Sequence, residues 1–165
     1  MNQIFPLKKT DLLLKNLQAK NSRIVLVGGV FDIVHPGHVE FLERAKKVGD
    51  VLVVLLESDR NVEVRKGKNK PVNSQQDRAK VLGALRAVDY VICLPFMKKD
   101  QDYDQVIKQI QPQVIATTDG DPGIADKQRT AKLVGAKVKI VSKLLGEYSS
   151  GKIISKIRQF TETPD

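Results

Sequence analysis

Short runs of β-branched and other apolar residues alternate along the chain with segments whose apolar positions recur at helical spacing, the pattern of a parallel sheet with helices on its faces. The runs are Ile24–Val27, Val51–Leu56, Tyr90–Leu94, Val114–Ala116 and Val138–Val141. They are nearly continuous in apolar residues, as strands buried on both faces require. Between the first two, Val39, Leu42, Ala45 and Lys46 fall at i, i+3, i+6 and i+7; Val81, Leu82, Leu85 and Val88 repeat the stripe in a second helix. Asp102–Ile110, Ile124–Leu133 and Ser150–Gln159 predict three more. Ahead of the first strand, Leu12, Leu13, Leu14 and Leu17 predict a short leading helix within residues 1–22, packed on the sheet edge or on another copy of the chain. The expected fold is α/β: a Rossmann-type, doubly wound, five-stranded parallel sheet, its core spanning 23–160 of a single domain covering 1–165. Glu57–Asn73 reads instead as a mobile basic loop, because Arg65-Lys66-Gly67-Lys68-Asn69-Lys70 places four cations in six positions among turn residues.

Composition narrows the partners. The 165 residues suit one domain with a proper core. Lys and Arg number 28 against 19 Asp and Glu, a formal charge of +9 that favours anions: nucleotides, sugar phosphates, nucleic acid or a lipid surface. Aromatic residues make up 5% with no Trp, which weighs against base-stacking single-strand binders. A single cysteine, Cys93, excludes an internal disulfide framework and a multi-cysteine zinc cage, and it falls in a strand as a core residue. The first residues lack the apolar stretch of a signal peptide, and no apolar stretch is long enough to span a membrane. A reducing cytoplasm and no membrane partner are therefore expected.

The chemistry concentrates in Gly28-Gly29-Val30-Phe31-Asp32-Ile33-Val34-His35-Pro36-Gly37-His38, between the first strand and the first strong helix. In open α/β sheets, ligands gather at the carboxyl ends of strands where the strand order switches. The glycines let a phosphate or base approach the backbone. Pro36-Gly37 begins a helix whose free N–H groups and dipole attract phosphate. The only two histidines, His35 and His38, share this window and project on one side, where imidazoles can donate to phosphate oxygens and support charge building up at phosphorus. The competing reading makes them a helix cap and a core-edge polar residue. Asp32 reads as a turn and cap residue, not a base.

His35-Pro36-Gly37-His38 resembles the HxGH signature of the cytidylyltransferase-like nucleotidyltransferases, whose Rossmann-type fold hosts nucleotidyl transfer. The resemblance runs from about Thr10 to Ile157 and takes in Gly29-Val30-Phe31-Asp32, Phe41–Lys46 to Gly49-Asp50, Lys66-Gly67, Lys70-Pro71-Val72-Asn73, Asp77-Arg78 and Val81–Leu85 to Val88-Asp89. Within that superfamily these stretches are most similar to the adenylyltransferase domain of bifunctional ADP-heptose synthase, and are also similar to glycerol-3-phosphate cytidylyltransferase and archaeal FMN adenylyltransferase. The resemblance implies transfer of a nucleoside monophosphate, AMP from ATP, to a phosphorylated sugar such as heptose 1-phosphate, with pyrophosphate released. Glycerol-3-phosphate cytidylyl transfer and FMN adenylyl transfer are the alternatives. Mg²⁺ would accompany the triphosphate, held mainly by phosphate oxygens, and a homodimer is implied. No protein metal ligands and no nucleic-acid partner are expected.

Carried over by resemblance, His35, His38 and Lys66 are the catalytic candidates. Gly29, Val30, Phe31, Gly37, Asp119, Tyr148, Ser149 and Ser150 join the two histidines as nucleotide-binding candidates. Read alone, Gly146–Ile153 nearly fits a phosphate-binding P-loop, but Ile153 stands where a magnesium-holding Ser or Thr belongs, and the loop follows the last strand instead of the first. Tyr148-Ser149-Ser150 matches the family's hydroxyl-rich helix start; the competing reading is a plain Ser N-cap. Gly151 departs from the family's second Thr. In the basic segment Arg65 and Lys68 are alternatives to Lys66 as substrate-phosphate contacts, and the whole cluster could equally be solvated surface. Arg78 is either a helix-face ion pair, a phosphate contact or an organiser of this loop. Ala116-Thr117-Thr118-Asp119 departs from the Lys-Gly-Gly-Asp of the heptose enzymes. A non-catalytic polyanion or nucleic-acid module is the rival from another class, and it would not need the histidines.

Overall fold

The computed structural model describes residues 3–143 and 148–161. Six strands form one wholly parallel sheet: β1 (Ile4–Pro6), β2 (Ile24–Gly29), β3 (Val51–Leu56), β4 (Tyr90–Cys93), β5 (Val114–Asp119) and β6 (Lys137–Lys143), in the spatial order β1-β4-β3-β2-β5-β6. Seven helices connect or flank them: α1 (Asp11–Ala19), α2 (Pro36–Lys46), α3 (Asp59–Lys66), α4 (Gln75–Gly83), α5 (Asp100–Ile110), α6 (Ile124–Val134) and α7 (Ser150–Thr161).

The two faces of the sheet carry separate cores. Val25, Val27, Leu52 and Val54 point to one side, where Leu42 and Ala45 of α2 and Ala79 and Leu82 of α4 cover them. Ile24, Leu26, Val53 and Leu55 point to the other, under Leu14 and Leu17 of α1 and Val106, Ile107 and Ile110 of α5. Alternate residues of one strand thus feed opposite cores, which is why the strands read as continuous apolar runs.

Four expectations need correction. The sheet has six strands, not five: β1 lies at the edge beside β4, and its three residues are too few to show a periodic signal. Pro6 at its end donates no N–H, which an edge tolerates. The leading helix packs its Leu14 and Leu17 onto a face of the sheet, leaving Leu12 72% exposed. Finally, the segment read as a mobile loop holds α3, which carries Arg65 and Lys66 in its last turn. Only Asn61 and Val62 of α3 are buried, so no apolar stripe announced it. Similarly, α4 ends at Gly83, and Leu85 and Val88 reach the core from the loop that follows.

The sheet opens where a ligand needs it. β2 pairs with β3 along its whole length, Ile24 to Gly29, but with β5 only at Val25 and Leu26. Beyond Leu26 the two strands part. This is the switch point, with β3, β4 and β1 on one side and β5 and β6 on the other, and the resulting crevice sits at the carboxyl ends.

Candidate active site

The loop leaving β2 is shaped by a close approach. A Cβ on Gly29 would lie 2.8 Å from the Phe31 ring, so only glycine lets that ring fold back against the strand end. Phe31 adopts φ 47°, a left-handed conformation that a bulky residue takes only when its surroundings impose it. Burial supplies the constraint, since Phe31 packs in the core beneath His38 with ring centroids 5.1 Å apart.

His35 caps α2 with extended backbone and no side-chain bond to it, and Pro36 opens the first turn. The imidazole is therefore not spent on capping. His35 and His38 stack with centroids 3.8 Å apart and 22° between planes, and the Nδ1 atoms of both are buried without a hydrogen-bond partner. Unpaired buried polar atoms cost roughly 1–3 kcal/mol each, a cost that a phosphate ligand can relieve. A Cβ on Gly37 would stand 3.2 Å from His35 Nδ1 and 3.6 Å from Tyr148 Cβ. Gly37 thus leaves open the space between the histidine and the start of α7. There Tyr148 lies nearly parallel to His35, Ser149 Oγ accepts from the Lys152 N–H at 3.1 Å, and Ser150 Oγ is 3.5 Å from the Ile33 carbonyl oxygen. The starts of α2 and α7, tied together by the contact between Ile33 and Ser150, 117 residues apart along the chain, therefore converge on one imidazole pair.

The environment keeps these imidazoles neutral. Burial lowers the pKa of His35. His38 is lowered to about 4, first by burial and then by the neighbouring His35 and Lys66 charges, with a backbone hydrogen bond to Ile33 opposing. The Lys66 ammonium at the end of α3 is thus close enough to act on His38. A neutral imidazole offers one N–H donor without repelling Lys66. The linkage is testable. The folded pKa lies below the unfolded value of 6.5, so stability present above pH 6.5 is lost as pH falls through 4, by up to about 3 kcal/mol. Urea unfolding at pH 7 and pH 4.5 should show this loss, and His38→Gln should shrink it; an unchanged loss would remove His38 as its source.

Behind the loop, Asp32 accepts from the Val72 and Asn73 N–H groups at 2.9 Å and fixes the segment after α3, the turn role expected of it. Arg78 is the deeper anchor. Its side chain is fully buried and donates to the carbonyl oxygens of Val30, Glu57 and Asn73 and to the Asp59 carboxylate. Of the alternatives open for Arg78, the geometry supports the organiser, because every arm of the guanidinium is occupied inside the protein.

On the other side of the Gly28–Gly29 strand end lies a cavity of ≈ 640 Å³, running between α3, α5 and α6. Its polar wall is a connected group. Tyr103 donates to the Glu57 carboxylate at 3.0 Å and accepts from Asn61 at 2.8 Å and from Arg65, which itself pairs with Glu57 at 2.8 Å. Burial raises the Tyr103 pKa to about 12, with the Glu57 charge adding to it. Across the cavity Asp121 is held by Lys127, Thr117 and the Gly123 N–H; burial raises its pKa, but these hydrogen bonds prevail and the net shift is downward.

Arg65 is thus turned toward Glu57 and Tyr103, while Lys66 and Lys68 stay exposed. Asp119 ends β5 in an exposed position, paired in register with Lys143 of β6, and Asp121, two residues on, faces the cavity instead. Gly146 and Glu147 of the near-P-loop lie outside the described residues. Glu57, Asn61, Tyr103 and Asp121 were not foreseen. Glu57 alone had a local signal, a carboxylate directly after six apolar strand residues.

Residues 26–156 match the model of the cytidylyltransferase-like family. The chain belongs to this family of nucleotidyltransferases. Among curated members, the FAD synthase of Pyrococcus horikoshii is 43% identical over 71% of this chain and 77% of that protein. The bifunctional protein HldE of a Nitratiruptor species is 34% identical over 92% of this chain but 31% of its own length, so the family member here spans about a third of that relative. Among solved structures, a lipopolysaccharide core biosynthesis protein from Thermoplasma volcanium superposes with a TM-score of 0.60 at 28% identity, covering 74% of this chain and 97% of that one. Pantoate-beta-alanine ligase from Francisella tularensis, 15% identical with a TM-score of 0.64 over 99% of this chain and 81% of the ligase, shares the fold alone. Among the described residues no helix is long and apolar enough to cross a membrane.

Proposed function

We propose that this protein transfers AMP from ATP to the phosphate of a small phosphorylated acceptor and releases pyrophosphate. The observation that carries this reading is the neutral, stacked His35–His38 pair with its unpartnered Nδ1 atoms at the meeting of two helix starts. An acceptor phosphate oxygen attacks the α-phosphorus, a new P–O bond forms, and the bond to the β-phosphate bridging oxygen breaks. The acceptor phosphate is already ionised near pH 7, so no protein base is required. Positioning and charge neutralisation carry the chemistry. His35 and His38 donate to the α- and leaving phosphates, Ser149, Ser150 and the α7 N–H groups hold the tail, and Lys66 reaches in from the end of α3 to meet charge at the reacting phosphates.

The cradle presents imidazole, hydroxyl and amide donors, which suit phosphate better than a hard cation. Mg²⁺ accordingly belongs to the substrate, bound through phosphate oxygens. The resemblance to ADP-heptose synthase makes a phosphorylated sugar such as heptose 1-phosphate one acceptor class. The similarity to an FAD synthase makes FMN a second.

Purified protein with Mg²⁺ and ATP should release pyrophosphate with at least one member of a panel of sugar phosphates, polyol phosphates and FMN. Silence across the panel, with CTP tried beside ATP, would overturn the proposal. Lys66→Ala should lower turnover about tenfold or more and leave the melting temperature almost unchanged, since its side chain is exposed. A change in melting temperature without a change in rate would place Lys66 outside the chemistry.

A further inference from the structure

Resting on the proposed transfer, we infer that Tyr148 is a positioning residue for it: its ring clamps His35 onto His38 from the solvent side, so that this imidazole is aimed by aromatic stacking where a hydrogen bond would ordinarily do so. Four rings follow one another from the core outward. Phe31, 5% exposed, lies under His38 with centroids 5.1 Å apart, and His38 and His35 stack at 3.8 Å. Tyr148, 41% exposed, follows at 6.2 Å from His35, its plane turned only 21° from that imidazole. Among the described residues no other ring contacts either histidine.

The two imidazoles are held differently. A hydrogen bond at one ring nitrogen ordinarily fixes the tautomer and the aim of a catalytic histidine. His38 has such a bond, with the Ile33 backbone, and rests on the packed Phe31 ring. His35 has neither: among the described residues its side chain makes no hydrogen bond, and its Nδ1 is buried without a partner. Its χ2 torsion joins an sp³ to an sp² carbon and is broad, so only surfaces packed on the ring can narrow it. One is His38; the other is Tyr148. Local structure puts the phenol there. Ser149 Oγ accepts from the Lys152 N–H and caps α7, which makes Tyr148 the residue just outside the helix, the position from which a side chain packs back to fix the entry of the chain. Ser150 Oγ, 3.5 Å from the Ile33 carbonyl oxygen, ties that start to the histidine loop, and Gly37 carries no side chain to hold Tyr148 away from His35. Among the described residues the Tyr148 hydroxyl makes no hydrogen bond, so the ring is the part the fold uses.

The chain has only two histidines, so each gives one imidazole Cε1–H resonance, told apart with His38→Gln. In the whole protein without nucleotide, Tyr148→Ala should move the His35 resonance through loss of the phenol ring current. It should also raise the His35 titration midpoint toward 6.5, because burial is what lowers it. The charged and titratable groups nearby, His38 and the Lys66 ammonium that acts on His38, are left in place by the change. Tyr148→Phe should leave both resonances where they are. With ATP, Mg²⁺ and an acceptor phosphate that turns over, Tyr148→Ala should lower kcat about threefold to tenfold, the scale of one aromatic pair, at an unchanged KM for ATP, and Tyr148→Phe should keep the original rate. Tyr148→Leu, which removes the ring and keeps bulk, should change the resonance and the rate in the same direction if the alanine variant does not fold. An unmoved His35 resonance would overturn the inference, as would a moved resonance with kcat unchanged. Tyr148→Phe no better than Tyr148→Ala, or a raised KM for ATP at unchanged kcat, would make Tyr148 a nucleotide ligand and equally overturn it. The expected resonance changes in a protein that releases no pyrophosphate with any acceptor would uphold the clamp on His35 and overturn the transfer reading.

Discussion

Replacing His38 by alanine should lower turnover by about 10²-fold or more, the scale of removing one preorganised donor from a transition state, and leave the fold intact. The expectation of an intact fold is specific to this position. Truncation gives up the hydrogen bond to the Ile33 backbone, but His38 Nδ1 has no partner to lose and burial already opposes the charged form, so it also removes a polar atom the native state holds at a cost. The Phe31 ring loses one neighbour but keeps its core contacts. Pyrophosphate release under saturating ATP, paired with a thermal melt, checks both halves. Turnover near that of the wild type would strike His38 from the catalytic group; a collapsed melt would make its role structural.

Arg78→Ala should be the most destabilising single change, about 3–5 kcal/mol, because it strands groups that no other donor among the described residues reaches. The carbonyl oxygens of Val30, Glu57 and Asn73 lose their partner together, while the Asp59 carboxylate, 48% exposed, can turn to water. The melting temperature should fall by roughly 10 °C. Val30 belongs to the loop before the histidines and Glu57 to the cavity wall, so surviving activity should fall too, and both should recover only in part with Arg78→Lys, since an ammonium cannot fork toward several carbonyls. A variant that melts with the wild type would show that the guanidinium's contacts are dispensable.

How much of this was legible beforehand follows from the range of each interaction. Strands such as Val51–Leu56 declare themselves because six consecutive apolar residues face two cores. The histidine pair declared itself because three residues on a helix start suffice to bring two imidazoles together. α3 did not, since its packing relies on Asn61, whose amide donates to the Met97 carbonyl oxygen at 3.1 Å and to Tyr103, residues far along the chain. For the same reason Arg78 left three readings open: its partners come from the loops after β2 and β3, from α3 and from the loop before α4, a convergence no local spacing encodes. The cavity escaped altogether, because Glu57, Phe96, Tyr103 and Asp121 become neighbours only once β4, β3, β2 and β5 are assembled in that order.

The lysines of β6 have a consequence beyond the site. This strand ends the sheet, with an unpaired row of backbone N–H and C=O groups along its free side, and Lys137, Lys139 and Lys143 stand exposed along it. An incoming strand would have to bury or crowd those ammonium groups, which discourages edge-to-edge aggregation. At the opposite border, β1 is three residues long and closes on Pro6. Part of the +9 charge therefore serves colloidal good behaviour: it repels a seventh strand as well as attracting phosphate.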